Sequence, residues 1–455
     1  MSPRPAAPAP TGPAPDAAPA HEAALDADIA LGPQAALDAD TALDADTALD
    51  AEAALDPEEI RAPAVLADPY PFFARLRRHD PVHWNAPTGA WYVARYADVY
   101  AGLTDPRLAA ASSDELLASL TPEQYEAMAP VEEFFGRWLV FSDPPHQLRM
   151  RSFLRQAFTP AAVAALRPLI DERAAAAADA FGRAVAADPA GADVVEDLAR
   201  PFAVDVVCAL LGIAPDEKSQ VLAWSDALMG YLGSTPEELH RAYAAGAAAD
   251  ELTAYVTGTV VPRGEGLVAE ALGPGLAAGE VAAEDVTAVF AQLLTGGIEP
   301  LGTGLAGTVL ALHRSPGQLA AVRRGEIPHA HAVEEALRHD PPFHFAPRRA
   351  SADLTVGGRE IRRGQRVVLL LASANRDERQ FPDGERFDAR RGPVPHLAFG
   401  RGGHYCLGAV LARTQITTAL RALEHRLPEL RLDVAAARRA PSFGKTILRP
   451  VPALI

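Results

Sequence analysis

Phe399-Gly-Arg-Gly-Gly-His-Tyr-Cys406-Leu-Gly408 sets one cysteine on a glycine-rich loop, directly ahead of a helical pattern, Ala409-Val-Leu-Ala-Arg413. Gly400, Gly402 and Gly408 allow backbone turns and close approach that a β-carbon would block. A helix opening at the cysteine aims unpaired amides and a positive dipole end at the sulfur, which favours the thiolate. Such a thiolate suits iron, and opposite a haem's open site it favours cleavage of an O–O bond. A lone cysteine is more often a small buried hydrophobe. With 16 Phe, 34 Gly, 13 His and 2 Cys in 455 residues, a chance match to all six positions of F-G-x-G-x-H-x-C-x-G is on the order of one in a million, which decides for the ligand.

Composition bounds the rest. Residues 1–60 hold 13 of the 59 acids and a single base, Arg4, while the remainder carries 46 acids against 41 bases. That near balance gives no basis for a nucleic-acid partner. Two cysteines cannot form a disulfide framework if Cys406 binds iron, and Cys208 reads as helix core. No apolar run reaches the ~20 residues needed to span a bilayer, and the N-terminus lacks a basic-then-apolar export signal. A cytoplasmic enzyme that makes no membrane contact is expected.

The chain divides near residue 60. Before it, Leu-Asp recurs at Leu37, Leu43, Leu49 and Leu55 after a Pro/Ala stretch, with no aromatic residue. A period of six turns successive leucines 240° around a helix, so no apolar face forms and residues 1–60 are expected to be a disordered tail. Residues 61–455 are expected to form one large domain. Asp68–Arg77 suggests a helix entry and Ala90–Val99 a short strand leading into a helix. Ala/Leu-rich helical patterns dominate to about residue 340, followed by strands at Leu354–Ile361 and Arg366–Leu371. The predicted class is mainly α with a minor β portion.

Glu335-Ala-Leu-Arg338 alone would be an ordinary surface pair. It is followed in order by Ala374-Asn-Arg-Asp377, Phe381-Pro382, Phe387-Asp-Ala-Arg-Arg391 and the cysteine loop. In that order the chain resembles a bacterial soluble member of the cytochrome P450 superfamily over roughly residues 60 to 455. The resemblance implies a single helical domain with a long helix crossing a haem b face. It also implies Cys406 on the iron, Phe399, Gly400 and Gly408 shaping its loop, and Glu335, Arg338 and Arg391 as a structural lock. His404, Arg348 and Arg151 would hold the haem propionates. Where the family usually has a histidine, this chain has Gln147, with His146 beside it; Gln147 can donate a hydrogen bond but brings no charge.

A second departure concerns the long helix. The family shows a glycine pair, an acid and then a threonine; here the residues are Gly296, Gly297, Glu299 and Pro300. Proline inside a helix leaves the carbonyl of Gly296 without its partner and is expected to kink it. The proton-delivering hydroxyl is missing, so Glu299, ordered water or a substrate hydroxyl must replace it. Thr295 and Thr303 are expected to bond to helix backbone. Phe343, His344, Phe345 and Phe443 are expected to line a pocket for an apolar or aromatic small molecule, His344 as its polar handle. The resemblance further implies a ferredoxin and ferredoxin reductase as electron donors, docking near Arg401, Arg413 and Arg155. Hydroxylation, epoxidation or oxidative coupling with dioxygen is the expected reaction. A peroxide-driven peroxygenase is the rival enzyme, and a haem-free helper subunit the rival outside catalysis, disfavoured by Cys406.

Overall fold

The computed structural model describes residue 56 and residues 58–455, apart from 111–112, 189–191, 233 and 455. The expected tail therefore lies almost wholly outside the described residues. Its last residues belong to the globular part: Glu59–Arg61 form a helical turn and Ile60 is buried. The boundary drawn at residue 60 thus falls a few residues late, because one isoleucine in a polar stretch gives no periodic signal.

The molecule is mainly helical and is organised on one helix of 31 residues, Ala283–His313, about 46 Å long. Glu284 and Asp285 in its first turn and His313 in its last suit the helix dipole. Its buried residues point in all directions, as expected of a helix enclosed by others. Helix Arg200–Leu210 comes so close at Gly297 that a β-carbon there would stand 2.6 Å from Val207, and at Gly304 one would stand 2.9 Å from Ile416 of helix Ala409–Arg426. Two apolar cores meet along the long helix, one taking its residues up to Ile298 and the other its residues from Leu301 onward. Glu299 and Pro300 occupy the seam.

The strands are β1 (Val82–Asn85), β2 (Ala90–Val93), β3 (Leu108–Ala110), β4 (Ala346–Ala350), β5 (Leu354–Val356), β6 (Arg359–Ile361), β7 (Arg366–Leu369), β8 (Arg431–Leu432) and β9 (Ala453–Leu454). A five-stranded sheet runs β1-β2-β7-β4-β3. Only β2 and β7 are parallel in it, with Trp91 beside Val367. The segment Leu354–Ile361 is a hairpin, not one strand: Gly357 and Gly358 both have positive φ, 50° and 78°, as a tight two-residue turn requires. Among the described residues no helix is long and apolar enough to cross a membrane.

Candidate functional site

The cysteine loop is closed by its own backbone. Cys406 N donates to Phe399 O at 2.9 Å, Tyr405 N to Gly402 O at 3.1 Å and Gly400 N to Leu397 O at 2.9 Å. Gly400 and Gly402 each have a φ of 68°, which a side chain would strain. Gly402 is further constrained, since a β-carbon would meet Leu103 O at 2.6 Å. Gly408 differs from the expectation: its φ of −88° is ordinary, and it serves as N-cap of the helix that opens at Ala409, three residues after the cysteine.

Cys406 is exposed to solvent-sized contact yet densely surrounded by protein, the combination found in a residue facing an enclosed cleft. Burial pushes its thiol up, and the Gly408 amide, Arg413 and Arg151 act against that. Helix amides therefore favour the thiolate only in part; a metal bound here would complete the deprotonation, as it does for any ligating thiol. Cys208 is core, as expected, and burial pushes its thiol up to about 11.

Beneath the loop lies helix His329–His339. Arg338 is fully buried and clasps Glu335 with Nε to Oε2 at 2.7 Å and Nη2 to Oε1 at 2.8 Å. It also donates to the carbonyls of Asn375 at 2.6 Å and Gly384 at 2.8 Å, fixing the segment that leads to the cysteine. Arg391 Nε lies 3.4 Å from Glu335 Oε2, so the three expected residues do converge. Sequence reasoning missed the neighbouring acid. Glu334 is buried, accepts from Arg413 Nε at 2.7 Å and lies 3.0 Å from His396 Nε2. Arg413, expected on a docking surface, is turned inward instead, with its guanidinium 4.4 Å from the Phe399 ring centroid. The adjacency Glu334-Glu335 was the available signal, since neighbouring helix residues point to different partners.

The residues expected around the propionates gather against the loop. Arg348 is buried with its guanidinium bonded to Pro347 O at 2.8 Å, and burial lowers its pKa. Arg151 donates to Tyr405 O at 2.7 Å and is likewise lowered by burial. Gln147 is buried and donates to Gly403 O at 2.6 Å. His404 is held low by burial and by Arg348, and its Nε2 lies 3.7 Å from Asp143. Among the described residues, His404 Nδ1 and Gln147 Oε1 are buried with no hydrogen-bond partner, and the buried Arg348 has Asp143 as its nearby opposite charge without a hydrogen bond to it. Buried cations and orphaned polar atoms beside an accessible cysteine are what the anionic edge of a haem would complete. The residues present therefore fit the group.

The long helix carries further candidate residues. A β-carbon on Gly296 would meet nothing within 4 Å, so this turn faces open space. Helical backbone continues on both sides of Pro300, which is accommodated inside the helix and does not end it. Thr295 Oγ1 donates to Ala291 O at 2.9 Å, as its backbone-bonding expectation required. Glu299 accepts from Lys445 Nζ at 2.6 Å. Of the expected pocket residues, Phe343 is exposed, while Phe345 and Phe443 are half-buried with ring centroids 6.1 Å apart. His344 is not the polar handle expected of it. It is fully buried, with Nδ1 2.8 Å from Phe443 O and Nε2 3.0 Å from Thr446 Oγ1, so both ring nitrogens are used within the chain.

Residues 277–427 match the family model described as Cytochrome P450. The cytochrome P450 monooxygenase PikC of Streptomyces venezuelae is 34% identical over 378 residues, covering 81% of this chain and 86% of the relative. The 6-deoxyerythronolide B hydroxylase of Saccharopolyspora erythraea is 33% identical over 379 residues, covering 81% and 91% respectively. Among solved structures, CalO2 aligns with a TM-score of 0.76 and 33% identity over 89% of this chain and 99% of its own. P450BioI, solved with an acyl carrier protein ligated to hexadec-9Z-enoic acid, aligns at 0.75 and 28% identity, over 86% and 99%. The residues that match the family model span the long helix, the buried acid–arginine lock and the cysteine loop, and with relatives of this identity they make haem the cofactor and dioxygen-dependent oxidation the chemistry: the chain belongs to the cytochrome P450 family.

Proposed function

We propose that this protein is a haem-thiolate monooxygenase of natural-product metabolism that hydroxylates, epoxidises or couples a small, largely apolar substrate. The observation that carries the reading is Cys406, accessible within a dense surround and flanked by the Gly408 amide, Arg151 and Arg413. Haem bound there supplies the dioxygen-activating chemistry. The chain's own contribution is positional. Cys406 ligates the iron, while Arg348, Arg151, His404 and Gln147 hold the carboxylate edge. Phe343, Phe345 and Phe443 present apolar surface to the substrate and exclude water. Glu299, half-exposed and adjoining the open turn at Gly296, exchanges protons with solvent and passes them toward the cleft in place of the absent hydroxyl at position 300.

Electrons come from a ferredoxin and its reductase. Arg155 is exposed in the turn whose Phe158 lies against Gly408, and Arg401 lies 5.1 Å from the Tyr100 ring, leaving basic groups for an acidic donor after Arg413 is subtracted. Cys208 and Cys406 form no disulfide with one another, which suits a reducing cytoplasm. The test is the reduced, carbon monoxide-treated protein. A red-shifted Soret band is expected, and Cys406→Ala abolishes it together with turnover. A band at the position of histidine-ligated haem, or retained activity in Cys406→Ala, overturns the reading. Efficient turnover on peroxide alone, with no response to a reductase, would favour the peroxygenase suggested by Pro300.

A further inference from the structure

Lys445 joins three segments that converge on the cleft. It follows Phe443 and Gly444, and it forms an antiparallel bridge with Phe343. The strand-like contact continues on both sides, Thr446 N donating to Pro342 O at 2.9 Å and His344 N to Gly444 O at 2.9 Å. From this loop the side chain reaches across to the long helix, where its Nζ donates to Glu299 Oε1 at 2.6 Å. Gly296, three residues before Glu299 and on the same helix face, looks into open space. The pair sits where the two apolar cores part.

The neighbouring charges are already satisfied. Asp340 takes Arg439, the Tyr70 hydroxyl at 2.7 Å and the Thr446 hydroxyl at 2.8 Å. Glu299 and Lys445 form a separate pair, and among the described residues neither side chain has a second hydrogen-bonding partner. An ammonium carries three donors and a carboxylate about four acceptor sites, so both groups keep capacity to spare. The two side chains are 41% and 34% exposed, which leaves that capacity open to the cleft and its solvent.

We propose that the Glu299–Lys445 pair is a specificity-determining anchor that selects an uncharged substrate bearing a hydroxyl group and rejects singly charged ones. A hydroxyl can accept from Lys445 and donate to Glu299 at once, leaving the pair intact. A carboxylate would compete for Lys445 and face Glu299 as a like charge; a cation would do the reverse. In both cases one charge of the half-exposed pair loses its partner and the other meets a like charge on the ligand, a penalty that solvent reduces but that an uncharged hydroxyl does not incur. The inference rests on reading this cleft as the oxidation site.

Its test uses calorimetric titration of the haem-loaded enzyme with three probes of equal chain length: 1-decanol, decanoate and decyltrimethylammonium, whose quaternary nitrogen cannot ligate iron. Wild-type protein is expected to bind decanol at least about tenfold more tightly than either ion. Lys445→Gln shifts the preference at least about tenfold toward decyltrimethylammonium, and Glu299→Gln shifts it equally toward decanoate. The exchange variant carrying both Glu299→Lys and Lys445→Glu restores the preference for decanol, which separates loss of charge pairing from damage to the loop. The same order of affinities in wild type and both single variants overturns the proposal, as does an absence of binding by all three probes to protein that shows the thiolate band. A protein without that band would instead overturn the functional reading, so the two failures are distinct.

Discussion

Glu334 Oε1 accepts a hydrogen bond from Arg413 Nε at 2.7 Å, and that bond couples helix His329–His339 to the helix following the cysteine. Glu335 on the same helix grips Arg338 and Arg391, so two adjacent acids serve two supports of one loop. The loop geometry is therefore set from the C-terminal side by the first pair and from below, through the segment leading to the cysteine, by the second. A residue that touches no reacting atom can control ligand placement in this way.

Removing Glu334 leaves the half-buried Arg413 against Phe399 without its counter-charge. Glu334→Ala is expected to lower stability by about 3–5 kcal/mol, read as a fall in the Tm of the haem-loaded protein. Arg413→Lys keeps the charge and loses the planar fork, so it should fall between the two. Equal Tm values for all three proteins would contradict the coupling.

Gly402 and Gly403 give a matched contrast. A β-carbon at Gly402 meets Leu103 O at 2.6 Å and sits on a φ of 68°, whereas at Gly403 it meets nothing within 4 Å. Gly402→Ala is expected to reduce haem content and the thiolate-type carbon monoxide band, with strain of about 1–3 kcal/mol. Gly403→Ala should leave both nearly unchanged. The measurement is haem-to-protein ratio beside the spectrum, and equal loss in the two variants would show that loop flexibility, not close approach, is what matters.

Acid sensitivity follows from two buried groups. Burial works to raise the Glu334 carboxyl, but Arg413 and His396 outweigh it and hold it at about 2 against an ordinary 4.5. Burial brings His344 down from 6.5 to about 4. Both depressed pKa values mean that the unfolded chain binds more protons, so stability is lost as pH falls. The loss begins with His344 below 6.5 and continues toward about 4. Glu334 adds to it between 4.5 and about 2. Thermal melts across this range should show Tm falling on acidification, with a shallower acid limb in Glu334→Gln. A Tm that rises from neutral to acid pH would reverse the sign and refute the assignment.

Pro300 can be replaced without loss of the helix, because helical backbone already runs through it. Pro300→Thr restores an amide donor for the Gly296 carbonyl and adds a hydroxyl facing the seam. Product formed per NAD(P)H consumed is expected to hold or rise, whereas Glu299→Gln should lower it and release more hydrogen peroxide. Unchanged coupling in Glu299→Gln with every substrate would remove the proton-delivery role.

The cysteine loop, the Glu335–Arg338 lock and the mainly helical class were legible because each is written in residues close in sequence. Arg391 could be added because its place in the meander is part of the same order. What escaped depends on distant partners. Glu334 finds Arg413 79 residues on and His396 62 residues on, and only the fold brings them together. Lys445 meets Glu299 across 146 residues, with no periodic or motif signal to join them. His344 was misassigned since a histidine between two phenylalanines reads the same whether it faces a pocket or a carbonyl; its bond to Phe443 decides the matter.

The parallel pairing of β2 with β7 has a consequence for how the protein is made. Trp91 Nε1 donates to Gln365 Oε1 beside that pairing, across 274 residues of chain. At a synthesis rate of about 5–20 residues per second, the first hairpin waits for tens of seconds before its central neighbour emerges. A two-stranded ribbon is marginal alone in water, and closing so long a loop is slow. The sheet is therefore a late event on the ribosome. Cys406 is translated later still, so any capture of a cofactor by its thiol follows the emergence of β7.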